Sequence, residues 1–231
     1  LANAVSTGSS AHAFAGQKSG MHQFATANGG GNASASVDLA GLNLHATALA
    51  AGTAANAHAV NKSGLDQFAN ATSGNATASI TLDGGNISAS ASANGTVGTG
   101  FASAYVGAAP GSGVALFQDA NAGGGGDATA NLTNTGALTI GASAHALARD
   151  TAAADALVNG IGQRASATGG GDATITMSNT ADASISVLAN ATATGSEAFA
   201  AVAATTVRGA RVGTGMFQAA FASGVGTAPG G

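Results

Sequence analysis

The side chains of this sequence that could do chemistry are few and far apart. Ten acidic residues and five histidines (His12, His22, His45, His58 and His145) are spread singly along 231 residues. No two histidines have the His-x-x-x-His spacing that offers two ligands to one metal. A polysaccharide lyase or hydrolase built on β-structure would gather carboxylates in one cleft. Most Asp residues here fall instead in turn-like contexts, where Asp bonds its own backbone. The chain has no Cys, which removes thiolate nucleophiles, zinc–thiolate sites and disulfides together. No catalytic or metal-ligating residue is assigned, and no enzyme is expected.

The glycine runs invite a phosphate or calcium reading. "GGGGDA" (123–128) lacks the Lys-Ser/Thr of a phosphate loop, and no Gly-x-Gly-x-x-Gly stands between a strand and a helix. Gly-Gly-x-Gly-x-Asp turns hold calcium in some β-helical repeats, and Asp127 and Asp172 directly follow glycines. The matching residues elsewhere are Asn32 and Asn75, so tight turns are the simpler reading and no cofactor is expected. Six Lys and Arg placed singly form no basic patch, which excludes nucleic acid as the expected partner. The longest apolar stretch, "AFAAVAATTV" (198–207), is far short of the roughly 18 residues of a membrane helix, so no membrane insertion is expected.

The elements behind these residues are unusual. Only 7% of the chain is charged and 4% aromatic, against roughly 25% charged in an ordinary domain. Disorder pairs low hydrophobicity with high net charge, whereas 45% of this chain is hydrophobic and its net charge is -4. A folded but atypical architecture follows.

Internal repetition is the strongest signal. Gln-x-Ala-x-Ala recurs as "QFATA", "QFANA", "QDANA", "QRASA" and "QAAFA", at Gln23, Gln67, Gln118, Gln163 and Gln218, with spacings of 44, 51, 45 and 55 residues. Eight or nine residues later an alternating run opens on Asn32, Asn75, Asp127 or Asp172: "NASASVDL", "NATASITL", "DATANLTN", "DATITMSN". A second alternating stretch follows: "LNLHATALA", "NISASASA", "LTIGASAHALA", "ASISVLANATA". Strict period-two alternation is the strand signature. Helix is expected only over "DTAAADALV" (150–158) and "SEAFAAVAA" (196–204).

The predicted fold is all-β: a thin, Ala-cored parallel β-solenoid of about 4.5 repeats of 44–55 residues, starting near 20, 64, 115, 160 and 215. Residues 1–231 form one repeat domain in this reading. The inward set includes Ala128, Ala130 and Leu132, then Leu138, Ile140, Ala142, Ala144, Ala146 and Ala148. Burying one methyl yields about 0.8 kcal/mol, while ordering each residue's backbone costs about 1–2 kcal/mol. Such strands persist only by stacking on one another. Ser34, Thr77, Thr129 and Thr174 then form one outward hydroxyl rank, with Ser36, Ser79, Asn131 and Thr176 beside it. The five Gln residues stack as an amide ladder or sit at turns, and Asn32, Asn75, Asp127 and Asp172 join the structural ladder.

"LTNTGALTI" (132–140) resembles the Leu-x-Asn-x-Gly-x-Leu turn unit of filamentous haemagglutinin and autotransporter-like surface proteins of Gram-negative bacteria. The Ala/Gly/Asn/Thr alternation is similar to their Ala/Gly/Asn-rich strand-repeat relatives. The resemblance implies a secreted parallel β-solenoid at the cell surface, working as an adhesin, fibre or biofilm-matrix component.

Two Lys (Lys18, Lys62) and two Pro (Pro110, Pro229) leave little to blunt exposed strand edges. "AHAFAGQKSGMHQ" (11–23) parallels "AHAVNKSGLDQ" (57–67), so the sequence opens in mid-repeat, as a segment of a longer array or a filament subunit would. The expected role is a structural, self-associating extracellular protein, with copies of itself and cell-surface glycans as partners. The alternative is an ice- or glycan-binding module that uses the outward Thr, Ser and Asn ranks.

Overall fold

The computed structural model describes residues 1–17, 20–107, 114–194, 197–202, 206–207, 210–211 and 215–223, and the chain is all-β, with no helix among them. β1 (Ala2–Gln17) leads into a first repeat of β2 (Met21–Ala27), β3 (Ala33–Leu39) and the long β4 (Leu42–Asn61). The second holds β5 (Leu65–Ala71), β6 (Ala76–Leu82), β7 (Gly85–Gly95) and β8 (Thr99–Val106). The third holds β9 (Leu116–Ala122), β10 (Ala128–Asn134), β11 (Ala137–Ala148) and β12 (Thr151–Val158). β13 (Ile161–Thr168), β14 (Ala173–Asn179), β15 (Ser184–Thr194) and β16 (Glu197–Val202) form the fourth. The two-residue β17 (Thr206–Val207) and β18 (Ala210–Arg211) pair antiparallel, and β19 (Met216–Ser223) ends the described stack.

Among the described residues every other pairing is parallel and joins equivalent strands of successive repeats. The glutamine sheet has the order β19-β13-β9-β5-β2 and the hydroxyl sheet β14-β10-β6-β3. A long sheet runs β15-β11-β7-β4-β8-β12-β16, with β1 also on β4. β4 belongs to both arms of this sheet: Leu42–Gly52 pairs with β7 and Ala55–Asn61 with β8. One repeat therefore makes one layer of four strand segments. Register follows residue type: Ala33, Ala76, Ala128 and Ala173 succeed one another, as do Gln23, Gln67, Gln118, Gln163 and Gln218.

Alternation dictates the interior. In β6 and β10 every second residue is buried, and Ala128, Ala130, Leu132, Leu138, Ile140 and the alanines at 142, 144, 146 and 148 all lie inward. The glutamine and hydroxyl sheets face one another across a cluster built almost wholly of alanine, including Ala69, Ala78, Ala120, Ala130 and Ala165. The long sheet's arms close on a second cluster, where alanines such as Ala48, Ala57, Ala91 and Ala104 join bulkier Leu65, Leu82, Ile87, Leu116, Leu132 and Ile161.

The glycine runs make the turns between the first two sheets. Gly29 and Gly30, Gly124 and Gly125, and Gly169 and Gly170 each form a pair with positive φ, a conformation that glycine adopts at no steric cost. Gly126 serves close approach instead: a Cβ there would lie 2.0 Å from Gly74 O in the layer below.

Two local expectations are corrected. Residues 151–158 of "DTAAADALV" form strand β12 rather than a helix, and 197–202 of "SEAFAAVAA" form β16; Ser196, Ala203 and Ala204 lie outside the described residues. Alanine's helix preference is local and amounts to at most about 1 kcal/mol per residue over other residues except proline. Here it is outweighed by ladder bonding to β8 and by burial of Ala152, Ala154, Ala156 and Val158 along one face.

An interior closed by methyl groups has no room for longer ones. Ala130→Leu is expected to cost about 1–3 kcal/mol by overpacking, whereas Ala153→Leu, on the outer face of β12, changes stability by no more than about 0.5 kcal/mol. Denaturant unfolding of the two variants checks the contrast.

Candidate functional site: polar ladders between layers

The glutamine sheet points its Gln side chains into the alanine interior, and Gln67, Gln118 and Gln163 are fully buried there. Each amide meets the next along the stack. Gln67 Nε2 donates to Gln23 Oε1 at 2.8 Å, Gln118 to Gln67 at 3.1 Å, Gln163 to Gln118 at 2.8 Å and Gln218 to Gln163 at 2.8 Å. A second donation crosses to the hydroxyl sheet, onto the carbonyls of Ser36, Ser79, Asn131 and Thr176 at 2.8–3.1 Å. One amide thus ties its layer to the layer before it and its sheet to the sheet opposite. The side chain reaches the facing backbone beside alanines, Ala69 and Ala120 of its own sheet and Ala78 and Ala130 of the other, with Leu65 or Leu116 on its far side.

Asn32, Asn75, Asp127 and Asp172 form a second ladder at the exposed turn. The Oδ1 of each accepts from the backbone N–H of the next: Asn75 N to Asn32, Asp127 N to Asn75 and Asp172 N to Asp127, each at 2.9 Å. Only an acceptor oxygen is required, so amide and carboxylate interchange between repeats. This role is shared by the Gly-Asn and Gly-Asp turns of all four repeats. Among the described residues no group of three or more acidic or His side chains is placed to hold a metal ion.

The outward positions of the hydroxyl sheet stand in rows. Ser34, Thr77, Thr129 and Thr174 occupy successive rungs, as do Ser36, Ser79, Asn131 and Thr176, and Asp38, Thr81, Thr133 and Ser178 form a third row. Those of the outermost strands β3 and β14 are exposed and those of β6 and β10 half-buried.

Three further ladders were not anticipated residue by residue. Asn134 is fully buried: its Oδ1 accepts from Gly84 N at 3.3 Å, and its Nδ2 donates to Gly136 O at 2.6 Å, Ser184 O at 3.0 Å and Asn179 Oδ1 at 3.1 Å. It is the Asn of "LTNTGALTI", so the turn motif carried the signal. Phe24 stacks flat on Phe68, with ring centroids 4.9 Å apart and 4° between planes, and Phe68 meets Phe117 at 5.6 Å.

On the long sheet, Phe14, His58 and Tyr105 pack in series with centroids 5.3 Å apart. His58 Nδ1 is hydrogen-bonded to Ser103 Oγ, and Tyr105 donates its hydroxyl to Asp155 Oδ2 at 3.0 Å. A similar His–Ser rung joins His45 Nδ1 and Ser88 Oγ at 2.7 Å. Recurrence of the pair in two places marks it as a rung between layers. Burial pushes the His58 pKa below its ordinary 6.5.

Comparison with protein-family models, curated proteins and solved structures finds no match for this chain.

Gln118→Leu strands the Gln67 oxygen and an N–H of Gln163 in the interior, each worth about 1–3 kcal/mol. Gln218→Leu, at the exposed end of the ladder, is expected to cost clearly less; chemical denaturation of both measures the gap. His58 gives a pH dependence of known sign. With its pKa depressed in the fold, the unfolded chain takes up the proton more readily. The stabilising contribution is complete above pH 6.5 and is lost as pH falls through the depressed value. His58→Phe should flatten the decline in melting temperature between neutral and mildly acidic buffer.

Proposed function

We propose that the chain is a stretch of thin parallel β-solenoid that works as a structural, self-associating extracellular fibre, adhesin or biofilm-matrix protein. One observation carries this reading: among the described residues four layers and the strand β19 beyond them stack with like residues in register, and the glutamine ladder is left with an unused donor at Gln23 and an unused acceptor at Gln218. A surface of that kind is completed by another layer of the same kind. The resemblance of "LTNTGALTI" to the turn unit of filamentous haemagglutinin-like proteins supports an extracellular setting.

The hydroxyl sheet favours a second reading. Apart from Asp38 and Asn131, all its outward residues are Ser or Thr. Parallel pairing spaces them by about 4.8 Å between strands and about 6.6 Å along them. Such an array suits ordered water or a glycan chain.

Negative-stain microscopy of the purified chain should show long thin assemblies whose fibre diffraction has a ~4.8 Å axial repeat. A monomer that stays compact in sedimentation at micromolar concentrations contradicts the fibre reading. If that monomer also shows thermal hysteresis or retention on a glycan array, the hydroxyl-sheet reading takes its place.

A further inference from the structure

The self-association proposed above leaves open which strands meet, and the structure assigns them. We infer that two copies join head to tail by parallel pairing of β19 of one copy with β2 of the next, in the register Met216 to Met21 and Gln218 to Gln23. This rests on the fibre reading and goes beyond it by fixing the direction and register of the junction.

Polarity of the amide ladder sets the direction. Every link runs the same way, with each Gln donating to the Gln of the preceding layer, from Gln67 onto Gln23 up to Gln218 onto Gln163. At the first layer Gln23 Nε2 donates only to Ser36 O among the described residues, which leaves one N–H over. At the last layer the Gln218 oxygen accepts from no described residue. Donor and acceptor meet when β2 follows β19; two first layers placed face to face would oppose donor with donor. The interface is heterologous, and a heterologous contact that does not close propagates.

The apolar positions agree. Residues that face inward elsewhere are uncovered at these two ends: Met216 is 50% exposed and Met21 38%. In the inferred register they pack on one another, as Ile161 packs on Leu116 within the stack. Phe24, 69% exposed, has one ring face against Phe68 and the other turned away from the stack. The junction covers that face with the outer surface of β19, where Phe217 and Phe221 flank the rung of Phe24 at 51% and 58% exposure.

In the same seating β15 meets β1, so that Ala189, Ala191 and Ala193 continue the columns of Ala2, Ala4 and Ser6. Among the described residues the hydroxyl sheet is one strand shorter than the glutamine sheet. The resulting slot is the cleft of about 440 Å³ lined by Met177, Asn179, Ile185, Met216 and Gln218.

The chain has no Cys, so introduced thiols report the junction without background. Thr26 and Phe221 occupy one outward column, through Asn70, Asn121 and Ser166. Across the inferred junction their Cα atoms lie about 4.8 Å apart, within disulfide range. His22 lies four residues away along β2, about 13 Å out of register. Mild oxidation of mixed Thr26→Cys and Phe221→Cys proteins should give a disulfide-linked dimer, and the doubly substituted chain a ladder of multimers. A His22→Cys and Phe221→Cys mixture should give neither. Filaments by microscopy without the in-register dimer overturn the junction while self-association stands. Loss of both the filaments and the dimer overturns the junction together with the fibre reading beneath it.

Discussion

Hydrogen bonding between successive layers is the constraint on which everything else in this chain depends. A strand whose buried side chains are Ala78 or Ala130 gains about 0.8 kcal/mol per methyl, too little to offset the cost of fixing its own backbone. The ladder bonds to the layers above and below make up the difference, and they do so only in one register, because a slip of one residue would turn every inward alanine outward. Backbone pairing alone does not choose between registers two residues apart. The buried glutamines do: a two-residue slip would set each Gln against Ala of one neighbouring strand and Leu, Ile or Met of the other, and leave an amide oxygen and an N–H without partners in the interior. Asn32, Asn75, Asp127 and Asp172 repeat that check at the turn.

This division of labour explains what could be read from the sequence. The strands of the first two sheets were legible because period two is visible within seven residues, and the repeat was legible because Gln and Asn or Asp recur at the positions where the layers are tied. The stretch 151–158 was misread because four of its eight residues are alanine, a composition that favours helix wherever no neighbouring strand competes. That competitor is β8, about 50 residues earlier, and no local window contains it.

The remaining ladders were hidden for another reason. Asn134 stacks on Asn179 on one side and on Leu82 on the other, so the column does not repeat as a residue type. Phe14, His58 and Tyr105 share a contact series, but His58 pairs in register with Phe14 and Ser103, and Tyr105 with Val60. A search for recurring letters finds columns of identical residues and passes over columns of compatible ones. Physical equivalence at a stacked position requires only size and a matching donor or acceptor, a looser condition than identity.

The same looseness bears on how the self-association proposed above would stay ordered in a chain so poor in charge. Soluble β-proteins blunt their edge strands with Lys, Pro or bulges, and β1, β2 and β19 have almost none of these among their described residues. An unprotected edge accepts any extended segment through its backbone groups, without regard to sequence. Selection must therefore come from side chains that penalise a wrong partner more than they reward a right one. A buried amide is suited to this, since its benefit when paired is modest while its cost when stranded is about 1–3 kcal/mol. With one Gln at each layer and every donor pointing the same way, the proposed junction would reject reversed and slipped partners by the same interaction that holds the interior in register.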